Sequence, residues 1–145
     1  MLLSDDIKIS TMLDYASGTA VREGAILDME GFEGVLIIVK HATLAAGAVG
    51  DVHAEQGAAS NLSDAADLLG TAIANDENDD DQLFILDIFR PRERYIRGVI
   101  TKDTSNAQAE SAIYIQYGAK KKPVVNAVAD TVEIEQHVSP AEGTK

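Results

Sequence analysis

The chain has 145 residues, which suits one domain with a single modest core. It carries 24 acidic and 12 basic side chains, and this acidic balance argues against a protein that binds the phosphates of nucleic acids. It has no cysteine, which excludes disulfides and thiol catalysis, and no apolar run approaches the about 20 residues needed to cross a membrane.

The charge is distributed unevenly along the chain. Residues 1–89 hold three basic and 17 acidic side chains, whereas residues 90–122 hold eight basic and three acidic ones. A positive block within an acidic chain fits charge-matched docking, either between copies or onto a partner.

In the first half of the chain, residues 1–24 mix polar and small side chains and predict an N-terminal arm that orders on a partner. The run Val35–Val39 is short and apolar on both faces, so it predicts a central strand. Ser63 with Asp64 predicts a short helix over Ser63–Leu69 that ends at Gly70. An acidic loop follows at residues 75–82.

The second half has the clearest strand signals. Apolar runs or alternating patterns predict strands over Leu83–Phe89, Tyr95–Thr101, Ser111–Tyr117 and Thr131–Val138. Pro91 indicates a turn after the first of these strands, with the next strand returning beside it. Residues 139–145 are expected to form a loose tail.

These elements predict a mostly β, single-domain fold, either a β-sandwich of jelly-roll-like form or an open antiparallel sheet covered by the one short helix. The expected organisation is an arm over residues 1–24, the sandwich over residues 25–138 and the tail over residues 139–145.

No catalytic constellation is visible in the sequence. His41, His53 and His137 lie far apart, without metal-ligand spacing, and surface or edge positions are expected for them. The loop Asp76–Asp81 partly matches a calcium loop, but Asp81 stands where that loop requires glycine. Phosphate-binding glycine loops and nucleophile elbows are also lacking. We therefore expect a non-enzyme without a cofactor.

The most unusual feature is a cluster of four arginines, Arg90, Arg92, Arg94 and Arg97. Guanidinium groups bind carboxylate-rich surfaces through paired hydrogen bonds. The arginines could equally pair with acidic loops of the same chain, and the sequence leaves both interpretations open.

The segment Arg90–Arg97 reads R-P-R-E-R-Y-I-R, and it follows a D-L-L-G-T element at Asp67–Thr71, an acidic loop and an apolar strand. With the start of the pattern near Gly31–Val35, this order resembles that of capsid decoration, or cement, proteins of tailed bacteriophages over about residues 25–123.

That resemblance implies a sandwich or jelly-roll-like protein on the outside of an HK97-like capsid, assembled in the host cytoplasm. There it would bind the major capsid protein and copies of itself, as a dimer or trimer, and bridge neighbouring capsomers. The expected contacts with the capsid or other copies are Arg90, Arg92, Arg94 and Arg97, together with Ile7, Ile9, Leu13 and Tyr15 of the arm. The alternatives are a head-completion or tail-tube subunit, or a cation- or carbohydrate-binding sandwich.

Overall fold

The computed structural model describes residues 2–129 and 131–144, and it consists almost entirely of antiparallel strands. The strands are β1 Lys8–Gly18, β2 Arg22–Glu23, β3 Leu27–Asp28, β4 Gly34–Leu44, β5 Val49–Gly57, β6 Ala66–Asp67, β7 Ile73–Asp76, β8 Leu83–Phe89, β9 Tyr95–Lys102 and β10 Gln108–Tyr117. A single 3-10 turn, Leu3–Asp5, precedes β1. Across the described ranges, no helix is long and apolar enough to cross a membrane.

The strands form two antiparallel sheets. The first sheet has the order β1-β10-β4-β8. In the second sheet, β9 and β5 lie at the centre. The short strands β2 and β3 both pair with β9, and β6 and β7 both pair with β5.

The pairing is nested along the chain. Strand β1 pairs with β10, β2 and β3 pair with β9, β4 pairs with β8, and β5 pairs with β6 and β7. A long hairpin that is wrapped so that its paired strands fall alternately into two sheets is a jelly roll. The predicted mostly β, jelly-roll-like sandwich is therefore confirmed, and the open sheet covered by a helix is not observed.

The core lies between the two sheets and is built from alternate residues of the central strands. Strand β4 contributes Val35, Ile37 and Val39, all fully buried, and β9 contributes Ile96 and Ile100. Side chains alternate between the two faces of a strand, so the intervening residues of β4 point to the other side of the first sheet. The prediction that this strand is central is confirmed, because β4 lies between β10 and β8.

Tyr114 of β10 connects the two sheets by hydrogen bonds as well as by packing. Its ring is fully buried, and its hydroxyl donates to the Ala25 carbonyl oxygen at 2.9 Å. The same hydroxyl accepts a hydrogen bond from the Gly98 amide of β9 at 3.0 Å. A side chain added at Gly98 would collide with the side chain of Met12, so the glycine permits this close packing.

The predicted N-terminal arm is largely a strand of the first sheet. Residues 8–18 form β1, which pairs with β10 from Lys8 opposite Gln116 to Gly18 opposite Gln108. Met12 is buried and Leu13 packs against the core. The prediction of a loose arm was therefore wrong for these residues, because this segment buries apolar side chains of its own.

The short helix predicted over Ser63–Leu69 was wrong. The segment contains turns and the two-residue strand β6. The Asp64 carboxylate accepts hydrogen bonds from the amides of Ala58 and Ala59, so it closes the preceding loop and does not start a helix.

Two predictions in the second half of the chain also need correction. Residues 131–138 form no strand, and the only nearby pairing in the described part is an isolated bridge between Val128 and Val132. Strand β9 does not return beside β8, because the turn at residues 90–94 carries the chain from the first sheet to the second. Met1 of the predicted arm, Asp130 of the predicted sandwich and Lys145 of the predicted tail lie outside the described residues.

We expect the Tyr114→Phe variant to lose about 1–3 kcal/mol of unfolding free energy, because the Gly98 amide and the Ala25 carbonyl would remain buried without a partner. Urea denaturation followed by circular dichroism measures this loss. Tyr15→Phe is the matched control, because Tyr15 is largely exposed and should leave the transition unchanged. Equal midpoints for the two variants would contradict the proposed role of the Tyr114 hydroxyl.

Candidate functional site

The four arginines predicted as contacts are separated by the structure into two pairs. The first pair, Arg94 and Arg97, is neutralised within the chain. Arg94 donates to both carboxylate oxygens of Asp28, at 2.9 and 2.8 Å, and also pairs with Glu30. Arg97 is mostly buried in the second sheet, where it pairs with Glu55 and, at 2.7 Å, with Glu23. For these two arginines the intramolecular interpretation holds.

The second pair, Arg90 and Arg92, stays exposed. The guanidinium of Arg90 lies over the ring of Phe89, with its carbon atom 4.9 Å from the ring centroid. Its Nη2 atom is 3.7 Å from the Oε1 atom of Glu33. Within residues 2–129 and 131–144, Arg92 makes no ion pair, and only its backbone amide is held, by the Gln56 side chain. These two side chains can therefore meet an acidic partner without breaking a strong internal pair.

The backbone at Arg90 holds this turn in a defined shape. Arg90 has a φ of 52°, in the left-handed region that residues with side chains rarely adopt. Its amide donates to the Glu33 carbonyl oxygen at 2.7 Å, and Pro91 follows it. Backbone strain of this kind persists where the surrounding structure fixes it. We call residues 90–94 the arginine turn.

The predicted N-terminal contact residues, of which Ile7 precedes β1 and the others lie in it, have different environments. Leu13 packs against the core, whereas Tyr15 is largely exposed. The Ile9 amide donates to the Asn126 side chain at 2.8 Å, and the Ile7 carbonyl accepts from the same side chain at 2.8 Å. The structure does not bring β1 and the arginine turn together, because β1 and β8 lie at opposite edges of the first sheet.

The outer face of the first sheet is an apolar surface that sequence reasoning did not identify. The register aligns Ile113 of β10 with Ile38 of β4 and Ile85 of β8, and it aligns Ile115 with Leu36. Farther along β8, Leu83 and Phe89 are on the same face, and both are more than half exposed. The face spans about 20 Å along β8 and about 14 Å across the strands. Asp87, between Ile85 and Phe89, and Lys40, opposite Leu83, are polar residues on the same face. An exposed apolar patch with polar neighbours is the typical form of a protein-binding surface.

We call this surface the outer apolar face and define it by Ile9, Leu36, Ile38, Leu83, Ile85, Phe89, Ile113 and Ile115. The sequence contains a signal for it, since Val35–Val39 is apolar on both sides and only one side can face the second sheet. The sequence does not reveal the register, which aligns apolar residues of β1, β10, β4 and β8 side by side on one face.

A buried polar network lies between the sheets at the other end of the molecule. Glu110 of β10 is fully buried and its Oε1 accepts from Arg22 at 2.8 Å and from Lys102 at 2.9 Å. Gln108 accepts from the Asn75 side chain at 3.0 Å. These charges are paired with one another, so the network connects the two sheets.

His41 lies opposite Glu110 in the strand pairing and is fully buried, so the expectation of a surface or edge position was wrong for this histidine. Its ring contacts Phe84 edge to face, with centroids 4.6 Å apart. Burial lowers the pKa of the His41 imidazole, while the Glu110 carboxylate acts in the opposite direction. Neither ring nitrogen has a hydrogen-bond partner among the described residues.

The acidic loop uses its carboxylates to hold backbone amides. Asp80 accepts from the Leu44 amide at 2.7 Å, Asp79 from the Asp76 amide at 2.8 Å, and Asp76 from the Asn78 amide at 2.7 Å. In the part of the chain that the structure describes, no group of three or more histidine and acidic side chains is arranged to hold a metal ion. The geometry therefore gives no support to the cation-binding alternative.

Comparisons with known proteins agree with the fold. No family model matches the chain, and no curated protein matches it. Among solved structures, the chain is similar to the crystal structure of PBSX exported protein XepA, with a TM-score of 0.55 and 17% sequence identity. The similarity covers 94% of this chain and 45% of the other, so this chain spans less than half the length of the protein that it matches. The two share a fold.

The Arg94–Asp28 pair makes a testable prediction about pH. The hydrogen bond from Arg94 lowers the pKa of Asp28 below its ordinary value, although burial acts in the opposite direction. A carboxyl with a lowered folded-state pKa stabilises the fold above its unfolded-state pKa, and this contribution is lost as the pH falls through the folded-state pKa. Carboxyl NMR titration should show a higher pKa for Asp28 in Arg94→Ala than in the wild type. Arg92→Ala is the control that leaves the pKa of Asp28 unchanged, and an unchanged value in both variants would contradict the pairing.

Proposed function

We propose that this chain is a structural protein of a tailed phage or a phage-derived particle, which acts by binding other proteins and not by catalysis. In its specific form, the proposal is a decoration protein that binds the outside of an HK97-like capsid and bridges neighbouring major capsid subunits. The observation that carries the proposal is the outer apolar face, which the described residues of the chain leave uncovered.

The physical reason is the cost of leaving such a face in water. Ile85, Leu83 and Phe89 are each at least half exposed on one side of one strand. Burying apolar surface stabilises a contact by about 25 cal/mol per Å², so a protein partner gains free energy by covering this face. A flat sheet face suits the broad surface of a shell better than it suits a small ligand, which binds in an enclosed cavity.

The fold and the charges support a phage origin and a protein partner. One solved structure that shares this fold is an exported protein of the phage PBSX. The arrangement D-L-L-G-T, acidic loop and R-P-R-E-R-Y-I-R, which resembles that of decoration proteins, lies on elements that border the outer apolar face. Repeated weak contacts on a symmetric shell add up through effective concentration, so a single face of modest area is enough.

The structure changes the set of contact residues that was predicted from the sequence. Ile9 belongs to the outer apolar face, and Tyr15, Arg90 and Arg92 are exposed. Leu13 packs against the core, Arg97 pairs with Glu55, and Arg94 pairs with Asp28 at the surface, so these three side chains are engaged within the chain. Deletion of the N-terminal segment is therefore no test of binding, because it would remove a strand of the sheet.

We expect Ile113→Lys to weaken co-sedimentation with phage shells that lack this protein, because it places a charge at the centre of the outer apolar face. Val49→Lys is the matched control: Val49 is more than half exposed on β5 of the second sheet, and the change in net charge is the same. Occupancy of the shell, measured by gel densitometry of the pellets, should fall for Ile113→Lys and stay at the wild-type level for Val49→Lys. Saturable binding that is equal for both variants would exclude this face as the contact, and failure of the folded wild type to bind intact shells would exclude shell binding.

A further inference from the structure

Strand β8 has an open edge on the side away from β4. The even-numbered residues of β8 form its hydrogen bonds with β4. At the two ends of the strand, the His41 amide donates to the Gln82 carbonyl oxygen and the Arg90 amide donates to the Glu33 carbonyl oxygen, and both pairs continue the register of β8 and β4. Along an antiparallel strand, successive residues direct their backbone N–H and C=O groups to opposite sides, so the odd-numbered residues of β8 direct theirs away from β4. The odd-numbered residues are Leu83, Ile85, Asp87 and Phe89. Over residues 2–129 and 131–144, no strand pairs with this edge.

The opposite edge of the same sheet is protected. Strand β1 carries two irregularities in its register, between Thr11 and Leu13 and between Leu13 and Ala16. The Asn126 side chain binds the backbone of this strand and of the residues before it. Bulges and covering segments are the usual means by which proteins block edge-to-edge association. Strand β8 pairs in a regular register and presents large apolar side chains.

The flank of β8 is also accessible to another strand. A shallow pocket of about 530 Å³ lies along its end, between residues 67–71 and residues 87–92. The two ends of β8 turn away sharply, because Asp81 before the strand and Arg90 after it have positive φ values of 60° and 52°. The edge is thus a straight segment of seven residues with a defined start and end.

The charges at the two ends of β8 indicate which strand fits this edge. Asp80 and Asp81 precede the strand, and Arg90 and Arg92 follow it. Two identical strands in antiparallel arrangement place the acidic end of each beside the basic end of the other, twice in one contact. A parallel arrangement would instead bring like charges together. We propose that the chain forms a two-fold dimer in which the β8 edges of two copies pair antiparallel.

The side chains that face each other across the two β8 strands then distinguish between the possible registers. With the two-fold axis at Leu86, Leu83 lies opposite Phe89 of the second copy and Ile85 lies opposite Asp87. The same register brings the acidic residues that precede one strand to the end of the contact where the arginines follow the other strand. An axis at Asp87 would instead set two aspartates against each other, and an axis at Ile85 would set Phe89 against Asp81. The register centred on Leu86 pairs Leu83 with Phe89 at both ends of the contact and keeps the two Asp87 carboxylates apart, at the cost of setting Ile85 opposite Asp87.

This pairing has a consequence for the outer apolar face. A two-fold axis perpendicular to the sheet joins the two four-stranded sheets into one of eight strands, with both outer faces on the same side. The dimer would present two equivalent apolar faces to one partner surface, which suits a protein that bridges two subunits. This consequence rests on the proposed function, whereas the pairing itself rests only on the edge of β8.

The first test is disulfide cross-linking, for which the absence of cysteine from the chain gives a clean background. We expect an equimolar mixture of the single variants Leu83→Cys and Phe89→Cys to form a disulfide-linked dimer under mild oxidation. Each variant alone is the matched control, because identical positions lie about 20 Å apart in this register. Non-reducing gel electrophoresis measures the product. If the mixture gives no more dimer than the single variants do, the proposed register is wrong.

The second test removes an edge hydrogen-bond donor without touching the pairing with β4. The Ile85 amide points to the open edge, so Ile85→Pro leaves the pairs inside the sheet intact and removes a donor from the dimer contact. We expect loss of the dimer in sedimentation velocity, with a retained β-type circular dichroism spectrum. Ile85→Thr keeps the amide and should keep the dimer. A monomeric wild type, or a folded Ile85→Pro that remains a dimer, would overturn the proposal.

These experiments can reject the proposed function and the β8 pairing independently of each other. A cross-linked dimer that does not co-sediment with shells would retain the β8 pairing and reject the proposed function. A shell-binding protein whose mixed cysteine variants do not cross-link would retain the proposed function and reject the pairing.

Discussion

The segment Val35–Val39 of strand β4 is apolar on both faces, and the described residues of the chain cover only one of them. Its inner residues, Val35, Ile37 and Val39, are fully buried against the second sheet. Its outer residues, Leu36 and Ile38, lie at the centre of the outer apolar face. A strand with two apolar faces needs two covering layers, whereas this jelly roll supplies one. The need for a second cover is what connects the fold to the proposed role in an assembly.

The strong strand signals of the sequence were sufficient to predict the sandwich. One error, the loose N-terminal arm, occurred where irregular strand pairing interrupts the two-residue alternation of apolar and polar side chains. Along β1 the irregularities at Leu13 put two consecutive residues, Met12 and Leu13, toward the core. The apolar alternation is therefore broken in the sequence although the strand is regular enough to pair. Asp64 shows a second cause of error, because a carboxylate that can cap a helix closed a preceding loop through the Ala58 amide.

The candidate site was less accessible to sequence reasoning, because its properties depend on residues that are distant in sequence. Arg94 is neutralised by Asp28, which lies 66 positions before it, and Arg97 by Glu55, 42 positions before it. Composition shows that acidic partners exist, but only the register of β3 and β5 against β9 decides which arginine receives one. The buried Glu110 was missed for a simpler reason: β10 begins at Gln108, three residues before its predicted start.

Self-association of this chain must overcome its own charge. A net charge of −12 makes two copies repel each other at long range, so contact is favourable only where opposite charges face each other locally. Along the chain, β8 is the strand with carboxylates immediately before it and guanidinium groups immediately after it. Antiparallel pairing there converts the charge segregation of the sequence into two attractive contacts per dimer. The net repulsion then disfavours other contacts between copies, so the same acidic charge that keeps the protein apart in solution gives this one edge its specificity.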